Sequence, residues 1–264
     1  MAETKIEWCD FTHNAWWGCT KVSIGCDNCY AETLARRVGE RNLWGTDARR
    51  RLFGLKHWEQ PIAWDMKARK AGRRFRVFCN SMADVFDNHP EVTGAREQLW
   101  ELIRKTPRLD WLLLTKRIGN AVQMLPEDWG NGYPNVWLGA SMVNQMELNR
   151  DLVKLLATPA RVRFISFEPL LDHIDIDEAW RYALADGWGM EPAKELHWAI
   201  LGGESGSGAR PMDLTWAYDI RSWCSHRGIA FFMKQGSQAN WPKFKAFETF
   251  PIELQVREWP ESAA

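Results

Sequence analysis

Three cysteines, Cys19, Cys26 and Cys29, share the stretch from Gly18 to Tyr30 in the spacing C-x6-C-x2-C. A thiolate is a soft metal ligand, and three of them on one short loop suit a metal ion or cluster. Three protein sulfurs also leave one coordination position open, which is the arrangement of a reactive site more than of a structural one. The stretch runs directly into a helical pattern, whose N-terminal end favours negative charge. Gly18 and Gly25 let the backbone bend back on itself, and Asp27 or Asn28 is expected to cap the helix that begins near Tyr30. The competing reading is three small apolar residues sharing a turn by accident; the scarcity of free cysteine argues against it.

The other cysteines are Cys9, Cys79 and Cys224, read as buried thiols. No secretory leader pattern opens the sequence and no apolar run reaches membrane length, so a cytoplasmic, reducing compartment is expected. There a cysteine cluster points to a metal site and not to a disulfide framework. With 264 residues and no linker or low-complexity segment, one domain of barrel size is expected. The formal net charge is zero, which excludes a global field toward nucleic acid or membrane. The charge is unevenly spread: Thr33 to Val77 holds 13 Lys/Arg against 4 Asp/Glu. Residues 42–75 show no clean period and interleave Arg49-Arg50-Arg51 and the run from Lys67 to Arg74 with Trp44, Phe53, Trp58 and Trp64. Such a segment is either a solvated face or a nucleic-acid surface.

The elements that must position the cysteine loop are readable on both sides of it. Phe11 to Trp17 reads as a buried strand that delivers the loop, and Tyr30 to Arg41 as a helix. From residue 75 onward a unit recurs: an apolar run, a small polar cluster, then a helical pattern. The runs begin at Arg76, Trp111, Val136, Val162, His197 and Ile229. Ala95, Leu99, Leu102 and Ile103 share one helix face, a second helix spans Asn144 to Leu156, and a third, capped by Asp213, turns Leu214, Ala217, Ile220 and Cys224 inward. Continuous apolar strands alternating with helices indicate a parallel sheet covered on both faces. The expected architecture is α/β, a full or partial (β/α) TIM-type barrel of about six or seven parallel strands, with an open doubly wound sheet as the alternative. Polar residues follow each strand: Ser81 and Asp84, Lys116 and Arg117, Ser141 and Asn144, Ser166 and Glu168, Glu204 and Ser205, Lys234 and Gln235. In barrels that rim carries the active site; singly, each is as well read as a loop hydrogen bond or helix cap.

Taken as an ordered set, these residues resemble a known family. Asn14-Ala15-Trp16-Trp17-Gly18-Cys19-Thr20-Lys21-Val22-Ser23 with Cys26-Asp27-Asn28-Cys29-Tyr30-Ala31-Glu32 is similar to the phage Gp37/Gp68 family, a radical SAM-like group. So are Asn80-Ser81-Met82-Ala83-Asp84, Leu114-Thr115-Lys116-Arg117, Val136-Trp137-Leu138-Gly139, Phe167-Glu168-Pro169-Leu170-Leu171, Gly202-Gly203-Glu204-Ser205-Gly206 and Lys234-Gln235-Gly236. The likeness covers Thr4 to Gly236, and the tail 237–264 adds nothing to it.

The resemblance implies a [4Fe–4S] cluster on Cys19, Cys26 and Cys29, with S-adenosylmethionine on the fourth iron. An electron from the cluster would break the S–C5′ bond, and the resulting 5′-deoxyadenosyl radical would abstract hydrogen from substrate. The loop departs from the usual radical SAM spacing, C-x3-C-x2-C, by three extra residues. Asn28 stands where those enzymes usually place an aromatic residue, so adenine contact is expected from Tyr30 or a tryptophan. Gly202-Gly203-Glu204 matches their Gly-Gly-Glu motif in letters but falls near the sixth strand, not the second. Asn80, Ser81 and Asp84 are therefore expected to hold the methionine amino group, Ser141 and Asn144 the ribose or carboxylate, and Glu168, Glu204 and Lys234 to act on substrate.

Phage-associated relatives and the basic, aromatic 33–77 region, which includes the insertion at about 42–75, together suggest DNA as substrate. Radical SAM isomerases are implicated in building hypermodified thymidines in phage DNA, which makes a base-linked amino acid the leading expectation, with the target nucleotide out of the stack. A flavodoxin-like or ferredoxin-like electron donor is expected as partner, in the bacterial host cytoplasm if the chain is phage-encoded. Two other classes remain open: a zinc-binding nucleic-acid module in which His13 completes a tetrahedron with the three cysteines, and electron transfer through the cluster without S-adenosylmethionine. His57, His89, His173, His197 and His226 show no ligand spacing, and most of the 17 tryptophans are read as packing.

Overall fold

The computed structural model describes residues 4–185, 196–240 and 246–260. Seven strands form a parallel sheet in the order β1 (Phe11–His13), β4 (Phe75–Cys79), β5 (Leu109–Thr115), β6 (Val136–Ser141), β7 (Val162–Phe167), β8 (Trp198–Gly202) and β9 (Ala230–Gln235). The order follows the chain without reversal, as in a partial TIM-type barrel; a doubly wound sheet would reverse at a switch point. The strands are buried almost end to end, the mark of a parallel sheet with both faces covered.

Helices alternate with these strands: α1 (Tyr30–Arg37), α2 (Leu55–Trp58), α3 (Gln60–Ala71), α4 (Thr93–Lys105), α5 (Ala121–Met124), α6 (Gln145–Ala157), α7 (Ile176–Ala185) and α8 (Leu214–Arg227). The expected faces of α4 and α8 are the buried ones, with Leu99, Leu102 and Ile103 on the first and Ala217, Ile220 and Cys224 on the second; Ala95 is half-buried. Asp213 caps α8 by accepting from Thr215 N at 2.9 Å. The stretch 42–75, which has no clean period, contains α2 and α3. Its period is obscured because α3 buries Asp65 beside Trp64 and Ala68. That carboxylate is satisfied by the Arg108 backbone N–H at 2.7 Å and its guanidinium at 3.1 Å.

Contacts group the chain into two compact units. The first comprises Met1–Val22, Cys29–Leu138 and Pro159–Arg161; the second comprises Ser23–Asn28, Gly139–Thr158 and Val162–Ala264. In the first, the expected strand Phe11 to Trp17 breaks at Asn14 and Ala15. β1 pairs in parallel with β4, while β2 (Trp16–Trp17) pairs antiparallel with β3 (Arg51–Leu52). In the second, Arg257 bridges Phe232 antiparallel at β9, the end of the sheet order. Met233 N donates to Val256 O and Glu258 N to Phe231 O, both at 2.9 Å. Of the tail, 241–245 and 261–264 lie outside the described residues.

Candidate functional site

The cysteine loop begins at a glycine that no other residue can replace without displacing backbone. Gly18 has φ of +110°, and a Cβ there would stand 2.5 Å from Leu43 O. Cys19 N then donates to that same Leu43 O at 3.2 Å. Ser23 caps the short 3-10 turn Ile24–Cys26, its hydroxyl accepting from Gly25 N at 2.9 Å. Cys29 itself takes the N-cap position of α1 without a side-chain cap, so neither Asp27 nor Asn28 caps that helix. All three loop cysteines are half-buried and outside any disulfide, whereas Cys79 and Cys224 are buried and Cys9 is half-buried. Burial pushes the Cys224 thiol up to about 12, and that of Cys79 further, which makes both inert.

In the first unit Cys19 lies beside a cation. Arg117 Nη1 donates to Cys19 Sγ at 3.4 Å and Nη2 to Thr20 O. Burial raises the Cys19 thiol to about 11, and the Arg117 charge and hydrogen bond oppose that rise. Arg117 is held in turn by Asp84 at 3.3 Å, both being nearly enclosed. Asp84 also accepts from Thr115 Oγ1 at 2.7 Å, Phe86 N at 3.0 Å and Lys116 N at 2.9 Å. Its lone pairs are thus committed inside the protein, and Asp84 anchors Arg117 where an acceptor for a methionine ammonium was expected.

The turn after β4 is built on two asparagines. Asn80 adopts φ of +61°, a left-handed conformation that Asn tolerates better than most residues. Its Oδ1 accepts from Ala15 N at 2.8 Å, which fixes the amide orientation and leaves the buried Nδ2 without a partner. Asn80 therefore offers a donor, suited to a carboxylate or carbonyl and not to an amino group. Asn14 Oδ1 accepts from Met82 N at 2.7 Å, and Asn14 Nδ2 donates to the Ser81 hydroxyl at 3.2 Å. Tyr30 is half exposed and donates to Ser81 O at 2.7 Å, so its ring flanks this turn.

In the second unit the segment 23–28 is fastened twice. Ser23 Oγ donates to Glu147 Oε1 at 2.6 Å, and Glu147 Oε2 accepts from Val143 N at 3.1 Å. Glu204 receives Arg210 Nη2 at 2.6 Å, Arg210 Nε at 3.0 Å, Arg210 N at 2.8 Å and Asn28 Nδ2 at 2.9 Å. Burial pushes the Glu204 carboxyl up, but these hydrogen bonds outweigh it and leave the group below its usual range. Arg210 Nη2 also reaches Ile24 O at 2.9 Å, and Asn28 Nδ2 reaches Gly208 O at 2.7 Å. Glu204, expected to meet substrate, instead clasps the segment that carries Cys26. Sequence reasoning missed Glu147 and Arg210 and read Asn28 as a cap candidate, because these side chains meet segment 23–28 across 124 to 186 positions, which leaves no local spacing signal.

Two more expected ligand contacts serve the fold. Asn144 is the N-cap of α6, its Oδ1 accepting from Glu147 N at 2.8 Å, and the Ser141 hydroxyl donates to Glu168 O at 3.3 Å. Glu168 and Lys234 do come together. Lys234 Nζ stands 2.6 Å from Glu168 Oε1, and Ser166 Oγ donates to Oε2 at 3.1 Å. A Cβ at Gly202 would stand 2.7 Å from that carboxylate, so the glycine makes room for the pair. Glu168 Oε1 is sealed from solvent while the Lys234 side chain is 24% exposed, so the pair is approached from the lysine side.

The basic insertion is partly neutralised. Arg50 is buried against Asp87. Arg73 pairs with Asp10 and Arg74 with Asp110, both where the chain enters β1, β4 and β5 and so at the ends of the strands opposite the cysteine loop. Arg49, Lys67, Arg69 and Lys70 are exposed, and Arg51 lies over the Trp17 and Phe53 rings.

Among the described residues no group of three or more His, Cys, Asp or Glu side chains is arranged to hold a metal ion. Cys19 and Cys29 belong to the first unit and Cys26 to the second. The loop fits an iron–sulfur cluster in donor chemistry: three thiols free of disulfides, one of them already accepting a guanidinium N–H. His13 is differently placed. Its ring is buried, stacks on His57 at 4.6 Å and is edged by Trp58, Trp64 and Trp111, with neither nitrogen hydrogen-bonded. It is packed as an aromatic residue and not set out as a fourth ligand.

The strand order and the polar clusters at the strand ends define an α/β protein of partial TIM-barrel topology. The chain matches, over residues 3–257, the family described as "Protein of unknown function (DUF5131)", and it belongs to that family. No curated protein and no solved structure matches it. No helix among the described residues is long and apolar enough to cross a membrane.

Proposed function

We propose that this chain is a radical S-adenosylmethionine enzyme of the Gp37/Gp68 kind. The observation that carries the reading is the loop of Cys19, Cys26 and Cys29, three thiols outside any disulfide on a loop fastened by Glu147, Glu204 and Arg210. These cysteines would hold a [4Fe–4S] cluster, and the chemistry supplied when it is bound is one-electron reduction of the sulfonium of S-adenosylmethionine.

The chain's own residues do the binding and orienting. Asn80 Nδ2, buried and unpartnered, is suited to a carboxylate oxygen of the bound cofactor. Tyr30 offers a half-exposed aromatic face beside it. Lys234 and Glu168 are the pair we assign to substrate, the ammonium holding an anionic or carbonyl oxygen and the carboxylate holding or accepting a proton. For substrate we propose a base-linked amino acid in DNA, a modified thymidine. A flavodoxin-like or ferredoxin-like protein is the proposed electron donor.

The test is anaerobic reconstitution of the full chain with iron and sulfide. About four irons per chain are expected, with 5′-deoxyadenosine formed from S-adenosylmethionine under a strong reductant. Cys19→Ala, Cys26→Ala and Cys29→Ala should each abolish it. Colourless protein holding a single zinc would end this reading, and iron without 5′-deoxyadenosine would reduce it to electron transfer.

A further inference from the structure

Resting on that reading, in which Cys19 ligates iron, we propose that Arg117 is a positioning residue for the cluster. It holds the Cys19 sulfur through an N–H···S hydrogen bond and so raises the cluster's reduction potential.

The geometry is built for one sulfur. Arg117 Nη1 lies 3.4 Å from Cys19 Sγ, within reach of a sulfur acceptor. Its other amine is spent on Thr20 O, the carbonyl of the next residue, so the fork grips the loop at two adjacent positions. The Arg117 side chain is 7% exposed and so is enclosed by protein. Behind it, Asp84 is immobilised by the Thr115 hydroxyl and by the Lys116 and Phe86 N–H groups. Arg117 N closes the arrangement by donating to Thr115 Oγ1 at 2.8 Å. Nη1 faces both the sulfur and Asp84 while Nη2 takes Thr20 O, a spread over two nitrogens that the single nitrogen of a lysine on its flexible stem does not reproduce.

Because Asp84 balances the cation, what reaches the sulfur is mainly a directed N–H dipole. Hydrogen bonds to ligating sulfurs draw electron density from an iron–sulfur cluster and favour its reduced state. An arginine that merely braced Thr20 and Asp84 would affect folding and loading but not the potential.

The experiment compares the reconstituted full-length wild type with Arg117→Lys and Arg117→Gln. Iron and sulfide content and the far-UV spectrum are measured first, then the cluster midpoint by redox titration followed by electron paramagnetic resonance, without S-adenosylmethionine. Both variants should shift the midpoint negative, so that at fixed potential the ratio of reduced to oxidised cluster falls about tenfold, equal to 59 mV for one electron. If a variant loads less iron, the midpoint is read on its loaded fraction. If Arg117→Gln fails to fold, Arg117→Lys, which keeps a cation for Asp84, carries the comparison. Loaded variants with the wild-type midpoint overturn the proposal alone. A wild type that takes up no iron overturns the functional reading and this proposal together.

Discussion

The Arg50 guanidinium meets the Asp87 carboxylate at 2.9 Å with both side chains sealed from solvent. Its remaining nitrogens serve Ala48 O at 2.6 Å, Gly45 O at 3.2 Å and Thr20 Oγ1 at 2.9 Å, the last on the cysteine loop. Breaking such a pair leaves a buried charge uncompensated. Arg50→Ala should therefore cost about 3–5 kcal/mol, read as a lower urea midpoint, and Arg50→Lys should rescue little of it. A variant as stable as wild type would show the pair to be dispensable.

For DNA, the middle of the Arg49-Arg50-Arg51 triplet is thus unavailable, and its neighbours must act. Reversing Arg49 and Arg51 to Glu should weaken binding of duplex and single-stranded probes and lower the salt slope by about 2. The same reversal at Lys67, Arg69 and Lys70, which precede the N-terminal end of β4, should leave turnover of bound DNA unchanged. Identical affinities and salt slopes for wild type and the first variant would remove DNA from the substrate proposal.

Glu204 is expected to behave as a clasp. Glu204→Gln loses the charge opposite Arg210 and should cost about 1–3 kcal/mol, with faster proteolysis within 23–28. Its carboxyl is depressed in the fold, so the stabilisation is fully present above the unfolded carboxylate range and is lost as pH falls from there through the lower folded value. Limited proteolysis at pH 7 and pH 4 checks both statements; a cleavage pattern indifferent to the substitution would contradict them.

His13 follows the same linkage with the same sign. Burial first, then His57, lowers its pKa from 6.5 to about 3. The unfolded ring takes a proton below 6.5 and the folded ring does not, so stability drops as pH falls from about 6.5 toward 3. The slope from this residue approaches 1.4 kcal/mol per pH unit. Chemical denaturation between pH 7 and pH 5 should show it, and His13→Phe should flatten that part of the curve. An unaltered slope would assign the loss to other groups.

Lys234 and Glu168 should separate chemistry from folding. Lys234→Met and Glu168→Gln are each expected to fold, bind iron as wild type does, and lose at least about tenfold in kcat/KM. Product analysis by mass spectrometry on candidate modified DNAs is the measurement. Full activity in both variants would move the substrate site elsewhere.

The sheet was legible because its strands are continuous apolar runs, a signal that survives without any tertiary information. The cysteine loop stood out because three cysteines within eleven residues are rare, though nothing in their spacing says what they hold. Residue roles at the rim were not. Asp84, Asn144 and Glu204 follow strands as catalytic residues do, but so do the caps and clasps that hold loops in place, and one-dimensional spacing is the same for both. Arg117 shows why: what distinguishes it is a sulfur 98 positions away. The helix α3 was hidden for a related reason, since its inward Asp65 reads as a surface residue until Arg108 is found beside it.

The short C-terminal run at Val256–Glu258 has a practical meaning. Met233 and Phe231 on β9 already have their partners in Val256 and Glu258, and the Trp198 indole donates to Glu258 O. A clipped or tagged product lacking those residues would bare a naked ribbon of N–H and C=O groups, ready to zip onto its twin. Preparations trimmed for crystallisation at that end should consequently be watched for filaments and precipitate, a hazard the untrimmed polypeptide carries its own guard against.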